Sequence, residues 1–172
     1  MVNIASTCAS TLAASAILTG TNLTGQVTFI DDGDSVSVKG TIYGLAPSAL
    51  HGFHVHTYGD VSGPGCLATG GHFNPYNTSH GAPTESQHHR HVGDLGNIQA
   101  DANGTAIIDI TDRIISLHGK RSILGRGLVV HAGQDDLGLG NNTDSKLTGN
   151  AGARAGCGVI GVANATAILA LD

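Results

Sequence analysis

The chain has 172 residues, 40% hydrophobic, 12% charged and 3% aromatic, with 26 glycines. That is enough apolar content for one buried core and too much for disorder, and no three-residue glycine period suggests collagen. A formal net charge of −5 gives no footing for a nucleic-acid partner, and no apolar run approaches the ~20 residues a membrane-spanning helix needs.

Residues 1–13 are small, apolar and uncharged. Without the basic start of a secretory signal they read as an amino-terminal extension, a remnant of processing, ahead of one domain over 14–172. Short β-branched runs predict strands at 16–19, 26–30, 35–43 and 52–57, with Asp31-Asp32-Gly33-Asp34 as a hairpin turn between the second and third. From 58 to 91 glycine, proline and histidine dominate and the strand period vanishes. A connection that long needs a function to order it, and metal ligation would supply one. Strands resume at 97–100 and 105–111 around the turn Asp101-Ala102-Asn103-Gly104, and again at 127–131. A second glycine-rich loop covers 132–156, and 158–163 closes the pattern. The tail 164–172 is apolar enough to extend that strand or to pack on a partner. The whole predicts an all-β sandwich or barrel.

Five of the ten asparagines, Asn22, Asn77, Asn103, Asn141 and Asn164, head Asn-x-Ser/Thr sequons, which tilts the reading toward secretion, with a cytoplasmic protein as the alternative. The three cysteines, Cys8, Cys66 and Cys157, allow one disulfide and leave one thiol over. None has the spacing of a thiolate metal site.

Eight of the ten histidines fall between His51 and His91. Side chains alternate along a strand, so His54 and His56 share a face and can chelate one ion. Their company is His72, His80, His91 and Asp94 downstream and His131 at the end of an apolar strand. A nitrogen-rich set suits copper, and three imidazoles with one carboxylate suit tetrahedral zinc.

The runs HGFHVH (51–56), GGHFNP (70–75), HGAP (80–83), RHVGDLGN (90–97), GRGLVVHAGQDDLG (125–138) and GNAGARAGCGVIG (149–161) resemble the copper/zinc superoxide dismutase family, in consistent order over roughly 15–163. The resemblance implies an eight-stranded antiparallel Greek-key β-barrel of immunoglobulin-like sandwich architecture with two long functional loops. It implies copper on His54, His56, His72 and His131 and zinc on His72, His80, His91 and Asp94, with His72 bridging the two metals. It also implies that Asp135 links His54 to His80, and that Arg154 beside the copper attracts the superoxide anion. Thr148 and Lys146 fall at the channel, and Cys66 with Cys157 at the family disulfide. The partners implied are superoxide, a second copy of the chain meeting near Val159, Ile160 and Gly161, and a copper chaperone for metal loading.

Other residues read blandly. His51 is a structural histidine at odd spacing from His54. His118 belongs to a solvated loop, and Cys8 is a free or intermolecular thiol. His88 and His89 are exposed, in a stretch two residues longer than the family pattern, though either can compete with His91 for zinc. In the second loop Thr143-Asp144 stands where many members carry two glutamates, and Lys146 is displaced by one position with Leu147 following. Fewer guiding charges predict a flatter salt dependence of the rate. A copper chaperone would need a cysteine transfer motif and a copper-only dismutase would lack the complete zinc loop, so the rival reading is a non-catalytic metal-binding or metal-buffering protein.

Overall fold

Branched and aromatic side chains at every second position make the strands. The computed structural model describes residues 11–169. It holds β1 (Leu12–Gly20), β2 (Thr24–Asp31), β3 (Val36–Tyr43), β4 (Leu50–His56), β5 (Asp94–Gln99), β6 (Ala106–Asp112), β7 (Gly127–His131), β8 (Arg154–Val159) and β9 (Gly161–Ala163), with short helices α1 (Thr143–Thr148) and α2 (Ala165–Leu169). The hydrogen-bonded order is β5-β4-β7-β8-β1-β2-β3-β6, every pairing antiparallel, and β9 continues β8 along β1. Counting β8 and β9 as one broken strand gives the eight barrel positions expected. β5 and β6 meet through the turn in which Asp101 N–H donates to Thr105 O.

Inward-facing Leu18, Val27, Phe29, Val38, Ile42 and Phe53 fill the barrel and are all fully buried. The strand predictions hold in number and order, and the differences lie at the ends: β5, for one, begins at Asp94 rather than 97. β1 begins at Leu12, so Leu12 and Ala13, assigned to the extension, are ladder residues opposite Asp31 and Ile30; the rest of the predicted extension through 10, Cys8 included, lies outside the described residues. β8 starts at Arg154 rather than 158, because pairing with β7 carries small residues that show no strand pattern of their own. The tail turns into α2 instead of extending β9: the Asn164 side-chain oxygen accepts from Thr166 N–H at 3.1 Å and Ala167 N–H at 3.4 Å, a helix-start arrangement. Residues 170–172 lie outside the described residues. Ile160, expected at a dimer contact, is instead fully buried in the core, whereas Val159 is 41% exposed.

Both long loops have internal order. The first holds a 3-10 turn, Pro64–Thr69, and Cys66 is disulfide-bonded to Cys157 of β8. Farther along it, Arg90 is completely buried. Its guanidinium donates to Pro83 O at 2.7 Å, Val92 O at 3.2 Å and the Asp112 carboxylate at 2.7 Å, tying this loop to the end of β6. The second loop contains α1, where Asn142 Oδ1 accepts from Ser145 N–H at 2.9 Å and Gly149 closes the helix at φ 68°.

A buried carboxylate fastens the β6–β7 connection to the end of β2. Asp31, at the end of β2, accepts from Leu117 N–H at 2.7 Å, Gly33 N–H at 2.9 Å and Ser116 Oγ–H at 3.0 Å. Burial works to raise its pKa, but those donors outweigh it and hold the carboxyl below its ordinary value of 3.8. A depressed carboxylate contributes stability that is present above the unfolded value and lost as pH falls through the folded one. Asp31→Asn is therefore expected to cost about 1.5–3 kcal/mol at pH 7, the usual worth of hydrogen bonds to a charged group, and less at pH 3. Urea unfolding midpoints at the two pH values check this; a gap that stays constant would contradict it.

Candidate metal centre

β4 carries His54 and His56, and β7, its neighbour in the sheet, ends in His131. Register shifts lie between Gly52 and His54 on β4 and between Val130 and His131 on β7. Such bulges re-aim side chains, and here they turn the imidazoles toward the loops. The first long loop returns along the end of β4, where His56 and His72 form an isolated bridge. It then supplies His80, His91 and, at the start of β5, Asp94.

Three groups result, each with ligand atoms within 4.8 Å of one another: His54, His56, His72 and His131; His72, His80, His91 and Asp94; and His54, His80 and Asp135. All of these residues are buried. His56 Nε2 and His131 Nε2 lie 3.4 Å apart, as do His91 Nδ1 and His72 Nδ1. Tetrahedral coordination with ~2.0–2.1 Å metal–nitrogen bonds puts neighbouring donors about 3.3–3.4 Å apart. His72 Nδ1 and His91 Nδ1 also approach Asp94 Oδ1 at 2.8 and 3.1 Å.

Four of the six rings are held from behind. His54 Nε2 donates to Asp135 Oδ2 at 2.7 Å, His56 Nδ1 to Gly70 O at 2.8 Å, His131 Nδ1 to Gly152 O at 3.0 Å, and His80 Nε2 to Asp135 Oδ1 at 2.8 Å. Those bonds set the tautomers and leave the opposite nitrogens facing the cluster centres. Three of the facing nitrogens, His54 Nδ1, His72 Nε2 and His80 Nδ1, are buried with no hydrogen-bond partner. His80 Nδ1 lies 3.0 Å from Asp94 Oδ2 but without the alignment of a hydrogen bond. A buried orphan nitrogen costs roughly 1–3 kcal/mol, and converging lone pairs are what a metal ion satisfies. The donor sets therefore fit the two metals.

Electrostatics separates the groups. Burial pushes the His54 pKa down to about 3, His56 to about 2 and His131 to about 4, with the neighbouring His72 adding to the effect on His54 and His56, so these rings stay neutral ligands. Burial also lowers His80, but the hydrogen bond that its Nε2 donates to Asp135 and the negative charge of the adjacent Asp94 more than offset it and raise the ring to about 9. Burial works to raise both carboxyls. The adjoining rings of His72, His80 and His91 nevertheless hold Asp94 well below its ordinary value, and hydrogen bonds from His54 and His80 hold Asp135 at about 2. One group offers nitrogen donors only, and the other adds the Asp94 carboxylate, an oxygen donor whose charge suits a dication.

A cavity of about 330 Å³ opens onto the rings, with His56, His72 and His131 at its base and Asp144, Thr148 and Arg154 around it. Arg154 is braced by the first loop: its guanidinium donates to Cys66 O and Gly70 O at 2.6 Å each and to Thr69 Oγ1 at 2.9 Å. Thr148 Oγ1 donates to Asp144 O at 3.1 Å. Lys146 differs from the sequence expectation: its ammonium bonds to Gly138 O, and the residue is not part of the cavity lining. A larger groove of about 880 Å³ lies on the outer face of β1, β2, β3 and β6, away from the histidines.

His51 is buried and donates from Nδ1 to His131 O at 2.8 Å, so it supports the strand end that carries a ligand. His88 and His89 are exposed and join none of the three groups. His118 is largely exposed, with Nδ1 3.1 Å from Ser116 Oγ and 3.4 Å from Asp31 Oδ2. Sequence reasoning missed Arg90 with Asp112, and Asn97, whose side chain brackets the Asp135 backbone with two 2.8 Å bonds. The only sequence signal for Arg90 and Asn97 was their position inside the run that carries His91 and Asp94.

Fold and site together define a redox metalloprotein: an antiparallel barrel bearing two adjoining metal groups that share one imidazole, open to solvent beside an arginine. The family model for copper/zinc superoxide dismutase matches residues 23–160. The extracellular Cu-Zn superoxide dismutase of Brugia pahangi is 54% identical over 144 residues, covering 82% of this chain and 70% of the relative. Cu-Zn superoxide dismutase 5 of Dictyostelium discoideum is 48% identical over 151 residues, 87% of this chain and 97% of its own length. The crystal structure of the clock protein EA4 superposes with a TM-score of 0.84 at 46% identity, covering 90% of this chain and 97% of EA4. The chain belongs to the copper/zinc superoxide dismutase family. It is an oxidoreductase with copper and zinc as cofactors, converting superoxide to oxygen and hydrogen peroxide.

Proposed function

We propose that His54, His56, His72 and His131 hold the copper and that His72, His80, His91 and Asp94 hold the zinc. The observation that carries this division is the His72 ring, common to both groups, with Nδ1 beside Asp94 and Nε2 unpartnered on the other side. Bound copper supplies reversible one-electron transfer, and zinc a redox-inert positive charge.

The chain's own residues do the rest. Arg154 offers its guanidinium to the incoming anion, and a fixed charge in a narrow cleft raises an anion's on-rate by ~10–10³. Thr148 narrows the same opening. His72 Nε2, free of any protein hydrogen bond, is the atom that takes up and returns a proton between the two electron transfers, since peroxide forms only when protons arrive. Asp144 on the lining offsets part of the Arg154 charge, and Lys146 is spent on Gly138, so the rate is expected to fall less steeply with salt than in a homologue with a lysine at the channel.

The test is superoxide decay by copper-plus-zinc protein, zinc-only protein and Arg154→Gln. Fast decay is expected only with copper, and the variant is expected to lose about tenfold or more in kcat/KM with its metal content unchanged. Tight binding of both metals without fast decay would leave metal buffering instead.

A homodimer is supported by apolar surface on neighbouring strands, where Ile17 is 60% and Val162 79% exposed. Secretion is supported by relatives of Brugia pahangi and Haemonchus contortus named extracellular, and by the disulfide, a bond that persists in oxidising compartments.

A further inference from the structure

We propose that Asn22, Asn77, Asn103 and Asn141 accept asparagine-linked oligosaccharide, an inference that rests on the secretion reading above. Ser and Thr make up about one residue in six, so ten asparagines would head one or two sequons by chance; five do. The fold places the sequon asparagines alike. All five sequon asparagines are exposed and none lies in a strand. Asn22 sits in the β1–β2 turn, Asn103 in the β5–β6 turn, Asn77 at a left-handed corner (φ 54°) of the first loop and Asn141 just ahead of α1. Among the described residues none of these four side chains makes a hydrogen bond.

Of the four described asparagines that head no sequon, three are bonded in place, and Asn150, exposed like the sequon asparagines, instead lines the cavity beside Arg154. Asn74 holds Thr78, Asn97 brackets Asp135, and Asn142 caps α1. Asn164 is left out of the assignment because its oxygen is bonded at the start of α2. A sugar is added to the chain before or during folding, so the finished fold must simply leave a bulky hydrated group in solvent. These four positions do so, and none lines the cavity beside Arg154.

The donor class is a lipid-linked diphosphate oligosaccharide. The side-chain nitrogen forms a bond to C1 of the first sugar and the C1–oxygen bond to the diphosphate breaks. The lipid diphosphate leaves with that electron pair, and the amide gives up one proton.

The experiment expresses the full chain in a secreting eukaryotic cell, once as it stands and once behind a supplied secretory leader. Protein in the medium is expected to run as a ladder that collapses to one band on digestion with peptide N-glycosidase, with aspartate found at the four positions. The N22Q/N77Q/N103Q/N141Q variant is expected to lose the ladder. Leader-carrying protein that reaches the medium folded and active, with its polypeptide mass unaltered, would overturn the proposal. Sugar on the leader-carrying form with the other form retained in the cytosol would sink the secretion reading and uphold the acceptor sites.

Discussion

Asp135→Asn is expected to lower zinc affinity by about 10–100-fold, the usual effect of losing a carboxylate behind a metal-ligating histidine. Asp135 holds both ends of the centre at once: Oδ2 takes the His54 proton at 2.7 Å and Oδ1 takes that of His80 at 2.8 Å together with Leu137 N–H at 2.7 Å. With its pKa held at about 2 it is anionic at every pH the protein meets in use. An amide has one acceptor oxygen where the carboxylate has two, so one ring N–H must then face an NH₂ group. The remaining ring bonds a neutral oxygen, which is a weaker acceptor and leaves the imidazole a poorer ligand. The surroundings leave no room for a compensating shift. Asn97 fixes the Asp135 backbone, and Gly149 lies so close that a Cβ there would stand 1.9 Å from Oδ1 and 2.5 Å from His80 Nε2. Competition against a chelator, with zinc and copper titrated separately, reads the effect. Unchanged affinity for both metals would mean that the rings are oriented by packing alone.

That centre was legible in unequal parts. The strands that build the barrel announce themselves through branched residues at alternate positions, because each has one face in the core. The histidines His54 and His56 announce themselves by the same period. His72, His80, His91, Asp94 and His131 have no local pattern. They became readable only through the runs around them, since the groups join residues as far apart as His54 and Asp135, 81 positions away. Features that depend on one distant partner stayed hidden. Arg90 looks like a surface cation until the Asp112 carboxylate and three backbone carbonyls are seen to enclose it. Lys146 reads as a channel charge until Gly138 takes its ammonium. The start of β8 was missed because the strand exists by pairing with β7, and α1 because a helix this short depends on its caps more than on its period.

Replacing Cys66 and Cys157 together with alanine is expected to cost about 4–5 kcal/mol, the chain-entropy worth of a bridge across so long a loop. The two cysteines are 91 positions apart in sequence. Both sulfurs also pack in a small buried cluster with Val129 of β7, so no solvent replaces their contacts favourably. The bridge does more than close a loop. Arg154, three residues before Cys157, donates to Cys66 O and, through the same turn, to Thr69 Oγ1 and Gly70 O. Gly70 O in turn holds the His56 ring through Nδ1 at 2.8 Å. One turn of chain therefore positions both the anion-attracting arginine and a ligand imidazole, and the disulfide pins that turn to the barrel. Without the bridge the folded, metal-loaded protein should keep its metals but lose kcat/KM, because Arg154 and the turn then move independently. Denaturant unfolding measures the first effect and superoxide decay on protein of verified metal content measures the second. A stability loss with undiminished kcat/KM would show that the carbonyls of the turn hold Arg154 without the covalent tie.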